Sequence, residues 1–167
     1  MSPSVPRFRD VRHGEHTTLA VEGACVVFAM RAVPTMADIR SADALQRAVL
    51  DAQEGQLAWM NVMAWGPAPD DRGILPVGNR MFRRPDARAT GLVNVFLGKA
   101  LLGGTTRTII RMAIVAARPK YPYLVSANLM AATRWLAQRM PDDAPWAVSA
   151  EDLERVARAG LRAPSSR

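Results

Sequence analysis

The chain predicts an α/β fold with a mixed sheet of about four to five strands, an antiparallel pair at its N-terminal end, parallel central strands and flanking helices. Three observations carry this. Residues 57–65 (LAWMNVMAW) form a nine-residue run with one conventionally polar member, Asn61, stopped at once by Gly66 and Pro67. A short run that is apolar on both alternating faces is a central strand covered on both sides, which requires helices above and below. Residues 90–98 repeat this character and also end in glycine, and between such runs lie segments with helical apolar spacing.

Taken in order, residues 1–6 hold two prolines and little to bury, and read as a disordered arm. Extended segments at 7–12 and 17–22 precede an apolar run at 25–31, with a turn at Glu22, Gly23 and Ala24 joining antiparallel strands. Residues 34–54 form the first helix. Thr35 and Asp38 have capping-box spacing, and Ile39, Ala42, Leu45, Val49 and Ala52 mark its buried face. The strand at 57–65 follows directly, so the strand–helix–strand unit implies a parallel pair with a right-handed crossover.

A Pro/Gly/Asp loop then leads to a short helical stretch within 72–84 and a basic turn at 83–88. After the strand at 90–98, residues 107–118 form a helix with Ile109, Ile110, Ala113, Ile114 and Ala117 inward and Arg107, Arg111 and Arg118 largely outside. Residues 121–127 are a short strand, and Asn128 or its neighbour caps a helix over 129–140 anchored by Trp135 and Leu136. These elements make one domain over 7–140. Residues 141–145 are a linker, and Ser149 to Asp152 has capping-box spacing for a last helix over 151–161 that packs peripherally or mediates association. The tail at 164–167 is expected to be disordered.

Composition narrows the function classes. At 167 residues the chain is long enough for one well-buried core without a staple. No apolar run approaches the roughly 20 residues that span a bilayer, and the N-terminus lacks a signal peptide's apolar stretch, so a cytoplasmic protein is expected. The single cysteine, Cys25, excludes an intramolecular disulfide and sits in an apolar strand as a small hydrophobe. The net charge of +7 is concentrated between residues 72 and 120, where ten Lys and Arg face one acid, Asp86. Such a segment attracts nucleic acid, anionic lipid or an acidic partner, or is simply a solvated face. It lacks interleaved surface aromatics, which argues against nucleic acid.

The order of elements, together with the run from Gly91 to Gly98, the helix carrying Arg107 and Arg111, and the closing Ala132, Thr133, Arg134, Trp135 and Leu136, resembles the STAS-like or SpoIIAA-like superfamily. Small bacterial proteins of this kind are common in myxobacteria, and some classifications place lipid-binding CRAL-TRIO domains in the same fold. The resemblance covers about residues 8–140 and implies a regulatory, protein-binding module. In anti-sigma-factor antagonists of the superfamily, a serine or threonine after the central strand is phosphorylated to switch partner binding. The matching region, 66–73, holds no hydroxyl residue, and none occurs between Ser41 and Thr90. Asp70 and Asp71 there lack the double charge and third acceptor oxygen of a phosphate.

Candidate chemistry is sparse. His13 and His16 are three apart on an extended segment, which does not align them for a metal, and no histidine lies near Cys25 or a glycine-flanked serine to build a triad. No catalytic residue, metal or cofactor is therefore assigned. Gly103, Gly104 and Thr105 at a helix entrance, with Lys99 and Arg107, form a candidate anion site, although without Walker spacing. Trp65, with Trp59 and several methionines, is a candidate wall for an apolar ligand. Asp70, Asp71, Arg83, Arg84 and Arg111 are candidate partner-docking charges. The leading expectation is a non-enzymatic module that binds a protein, with a homodimer as one form. The alternative is a carrier or sensor of a small apolar or anionic ligand.

Overall fold

A computed structural model describes residues 9–32, 34–52, 57–64, 77, 80, 81, 83, 84, 89–97, 120–140 and 147–163. Six strands, β1 (Arg9–His13), β2 (Thr17–Glu22), β3 (Cys25–Met30), β4 (Leu57–Met63), β5 (Ala89–Phe96) and β6 (Tyr123–Ser126), lie side by side in sequence order in one sheet. β1, β2 and β3 pair antiparallel, and β3 to β6 pair parallel. The count exceeds the expected four or five because both short flanking segments, β1 and β6, join the ladder as its edges.

The hairpin between β2 and β3 follows from one residue. Glu22 pairs with Cys25, leaving a two-residue turn in which Gly23 takes φ 58°. Tight hairpin turns need positive φ at the first central residue, which glycine adopts without a Cβ penalty.

Helix α1 (Met36–Ala52) links β3 to β4 and begins with the predicted capping box: Thr35 N–H donates to Asp38 Oδ2 at 2.9 Å, and Asp38 N–H to Thr35 Oγ1 at 3.2 Å. Ile39, Ala42, Leu45 and Val49 are buried as their spacing predicts, but Ala52 is exposed. The buried stripe also takes in Asp43, Gln46 and Leu50, so its centre is rotated away from Ala52.

Strand alternation splits the core in two. On one face Leu19, Phe28, Leu57, Trp59, Leu92 and Phe96 pack against α1. On the other, Val27, Met60, Val62, Val93 and Val95 pack against α2 (Leu129–Ala137) and α3 (Ala150–Arg162). Thus β4 is buried along its whole length, as the continuous apolar run requires. Asn128 caps α2 by accepting from Ala131 N–H at 3.0 Å. Close approach of α2 to β5 depends on Gly91, where a Cβ would stand 3.2 Å from both Leu136 and Trp135.

Helix α3 is not peripheral. Ser149 Oγ accepts from Asp152 N–H at 3.1 Å, and the helix then lies on β2, β3 and α2, burying Leu153, Ala157 and Gly160.

Candidate binding site

Near the carboxyl half of the parallel strands, on the α1 face, polar side chains interrupt the core. Trp59 and Asn61 are two apart on β4 and therefore share a face, and the sheet register sets Asn61 directly beside Asn94 of β5. Trp59 Nε1–H donates to Asn61 Oδ1 at 2.7 Å, and Asn61 Nδ2–H donates to Asn94 Oδ1 at 2.8 Å. The direction of this chain is forced. An indole nitrogen only donates, so Asn61 must accept with its oxygen and donate with its nitrogen, and Asn94 must accept with its oxygen. The chain therefore ends in the Asn94 amide nitrogen, which is buried and has no hydrogen-bond partner. Asn94 is 2 % exposed and Asn61 7 %. Phe28 beside Asn61 and Val125 beside Asn94 complete an apolar row.

Two other polar centres are absorbed by the scaffold. Arg31, just past β3, donates through Nη1 to Thr18 Oγ1 and to Gly160 O, both at 2.8 Å, and through Nη2 to the carbonyls of Gly14 and Thr17 at 3.2 Å. Thr17 Oγ1 in turn donates to Asp38 Oδ1 at 2.8 Å, joining the β1–β2 turn to the start of α1. The second centre is Asp43 on α1, whose carboxylate meets Arg47 at 2.6 Å and Arg84 at 2.7 Å. Arg84 also donates to Gln46 Oε1 at 3.0 Å, and Gln46 Nε2 to Met81 O at 2.8 Å.

Of the residues singled out in the sequence, Arg84 is thus tied to α1 through Asp43 and Gln46, while Arg83 beside it is exposed. Trp65, Asp70, Asp71, Lys99, Gly103, Gly104, Thr105, Arg107 and Arg111 lie outside the described residues, as does the expected helix over 107–118. Cys25 is fully buried, and burial, reinforced by Glu22, pushes its thiol far above the usual range. His13 Nδ1 lies 3.2 Å from Thr18 Oγ1, and His16 Nε2 lies 3.6 Å from Glu15. Among the described residues no three His, Cys, Asp or Glu side chains come together as a metal set, and no helix is long and apolar enough to cross a membrane.

Sequence reading passed over the Asn61–Asn94 pair. The signal was present: both strands carry asparagine, valine and a large apolar residue in succession, Asn61–Met63 and Asn94–Phe96. Two parallel neighbours with matching Asn-Val positions place the amides in register.

The two sheet edges differ. β1 has the sequence RDVRH, with Val11 57 % exposed, whereas β6 has no charged residue and carries Tyr123, 46 % exposed. Leu92 N–H donates to Pro122 O at 3.0 Å and Leu92 stands opposite Tyr123. In a parallel ladder the peptide groups of Tyr123 and Val125 then point away from β5, and among the described residues no strand pairs with them. Met130, at the start of α2, is a further exposed apolar side chain, at 44 %. No family model, curated protein or solved structure matches the chain.

Proposed function

We propose that this chain is a non-enzymatic, STAS-like interaction module that takes an extended segment of a protein partner along the outer edge of β6. The observation that carries the reading is the contrast between its edges. Charged residues on an edge strand block pairing with other chains, and β1 is built that way. β6 carries no charged side chain, and its two outward peptide groups pair with no strand among the described residues, with Tyr123 exposed beside them. Strand addition supplies main-chain hydrogen bonds, and neighbouring side-chain contacts supply specificity. The net charge of +7, with Lys120 three residues before Tyr123, favours an acidic partner over a second copy of the chain. Sequential strand order with an antiparallel opening supports the STAS-like assignment, and the lack of a hydroxyl residue over 66–73 favours docking without a phosphorylation switch.

The test is capture from native lysate together with light scattering, run on the wild type, Tyr123→Lys and Val11→Lys. The reading expects one reproducible acidic protein, lost with the charge on β6 and kept with the charge on β1. A strictly monomeric protein without a partner, or a partner indifferent to Tyr123→Lys, overturns it. A homodimer that survives Tyr123→Lys also counts against it.

A further inference from the structure

From the hydrogen-bond chain in the core, we infer a second, independent site: the Asn94 amide is the polar anchor for a small, neutral, mostly apolar molecule that carries an oxygen acceptor. This goes beyond docking at β6, because the side chains concerned lie inside the α1 face rather than along the sheet edge.

Three buried polar side chains in line, Trp59, Asn61 and Asn94, satisfy one another in only one direction, and the surplus accumulates at one end as an unmet donor. A core that needed only to be filled would use two apolar residues here, since an unmet buried donor costs free energy with no return. What the end of the chain lacks is an acceptor, which fixes the ligand's chemistry: a carbonyl, amide or ester oxygen within about 3 Å of Asn94 Nδ2. Its surroundings fix the remainder. Asn94 is flanked along β5 by Leu92 and Phe96 and across the sheet by Val125, all apolar. These three neighbours offer no counter-charge to an ionised carboxylate, so a neutral acceptor is preferred beside them. Trp59 is the orienting member. Its indole holds Asn61, and Asn61 holds the Asn94 amide with its nitrogen outward.

The experiment uses the full-length protein, 2-heptanone as the probe, and heptane and heptanoate as comparison arms. Asn94 side-chain amide signals are followed by NMR and unfolding by thermal melting. The expected result is a shift of the Asn94 amide signals and a melting-temperature rise of roughly 4 °C or more with 2-heptanone, with neither from heptane. Asn94→Asp keeps the oxygen that accepts from Asn61 and replaces the terminal donor by an acceptor, so it should abolish the response. Because the amide shift is read in the wild type, the test holds even if the variant fails to fold. A response to heptanoate alone overturns the neutral-acceptor chemistry. No response to any arm, with a long-lived water seen beside the Asn94 amide, overturns the site and leaves ordinary internal hydration.

Discussion

Arg31 and Gly160, separated by 129 positions in the chain, are joined by a 2.8 Å hydrogen bond from the guanidinium to the peptide carbonyl. The same side chain holds Thr18 Oγ1 and two carbonyls of the β1–β2 turn, so one residue ties together the end of β3, the hairpin and α3. Arg31→Met leaves these acceptors without their donor and should cost about 3 kcal/mol, since hydrogen bonds to charged groups contribute about 1.5–3 kcal/mol each and several are partly solvated. Urea unfolding measures it. Arg31→Lys should recover only part of the loss, because an ammonium cannot fork across two sides.

Gly160 is as constrained as its partner. A Cβ there would stand 2.8 Å from the Ala29 Cβ, and neither atom can rotate away. Gly160→Ala should therefore destabilise by about 1–3 kcal/mol through overpacking. Pairing it with Ala29→Gly removes the collision, so the double variant should be more stable than the sum of the singles predicts. Strict additivity in denaturation would contradict the contact.

Asp43 receives two arginines, one from its own helix and one from the stretch that precedes β5. Asp43→Ala leaves the partly buried Arg84 without its carboxylate and should cost about 2 kcal/mol. Arg47→Ala should cost less than about 1 kcal/mol, because Arg47 is 59 % exposed and pairs in water. Guanidinium titration of the two variants gives the ranking, and equal losses would contradict it.

The Cys25 thiol has its pKa raised, first by burial and second by Glu22. The folded protein keeps a proton that the unfolded chain releases near its ordinary pKa of about 8.5. Stability from this group is complete below that pH and falls as pH rises above it, by up to about 1.4 kcal/mol per unit. Unfolding midpoints between pH 8 and 10 should therefore drop more steeply for the wild type than for Cys25→Ala. Parallel slopes would show that the thiol does not contribute.

Much of the scaffold was legible because it depends on neighbours in sequence. Gly23 fixes a hairpin turn, Thr35 and Asp38 fix a helix start, and the unbroken apolar run from Leu57 fixes a central strand. What depends on distant residues was not legible. Arg84 read as a candidate docking charge, with nothing in the sequence to mark Asp43, 41 positions away, as its partner. Trp135 read as a core anchor, yet it is half-buried with Arg139 stacked 3.5 Å over its ring, while Leu136 alone is fully enclosed. The capping pattern at Ser149 located α3 correctly but carried no information about the sheet face that covers it. Asn61 read as an exception within a strand, and its meaning lies in Asn94, 33 positions away.

The most direct test of β6 as the docking edge is amide hydrogen exchange at Tyr123 and Val125, measured in the free protein and in the complex with the captured partner. Strand addition predicts fast exchange at both amides when free and strong protection in the complex, with the β1 amides unchanged. If both amides exchange equally fast in the two states while the partner stays bound, docking along β6 is contradicted.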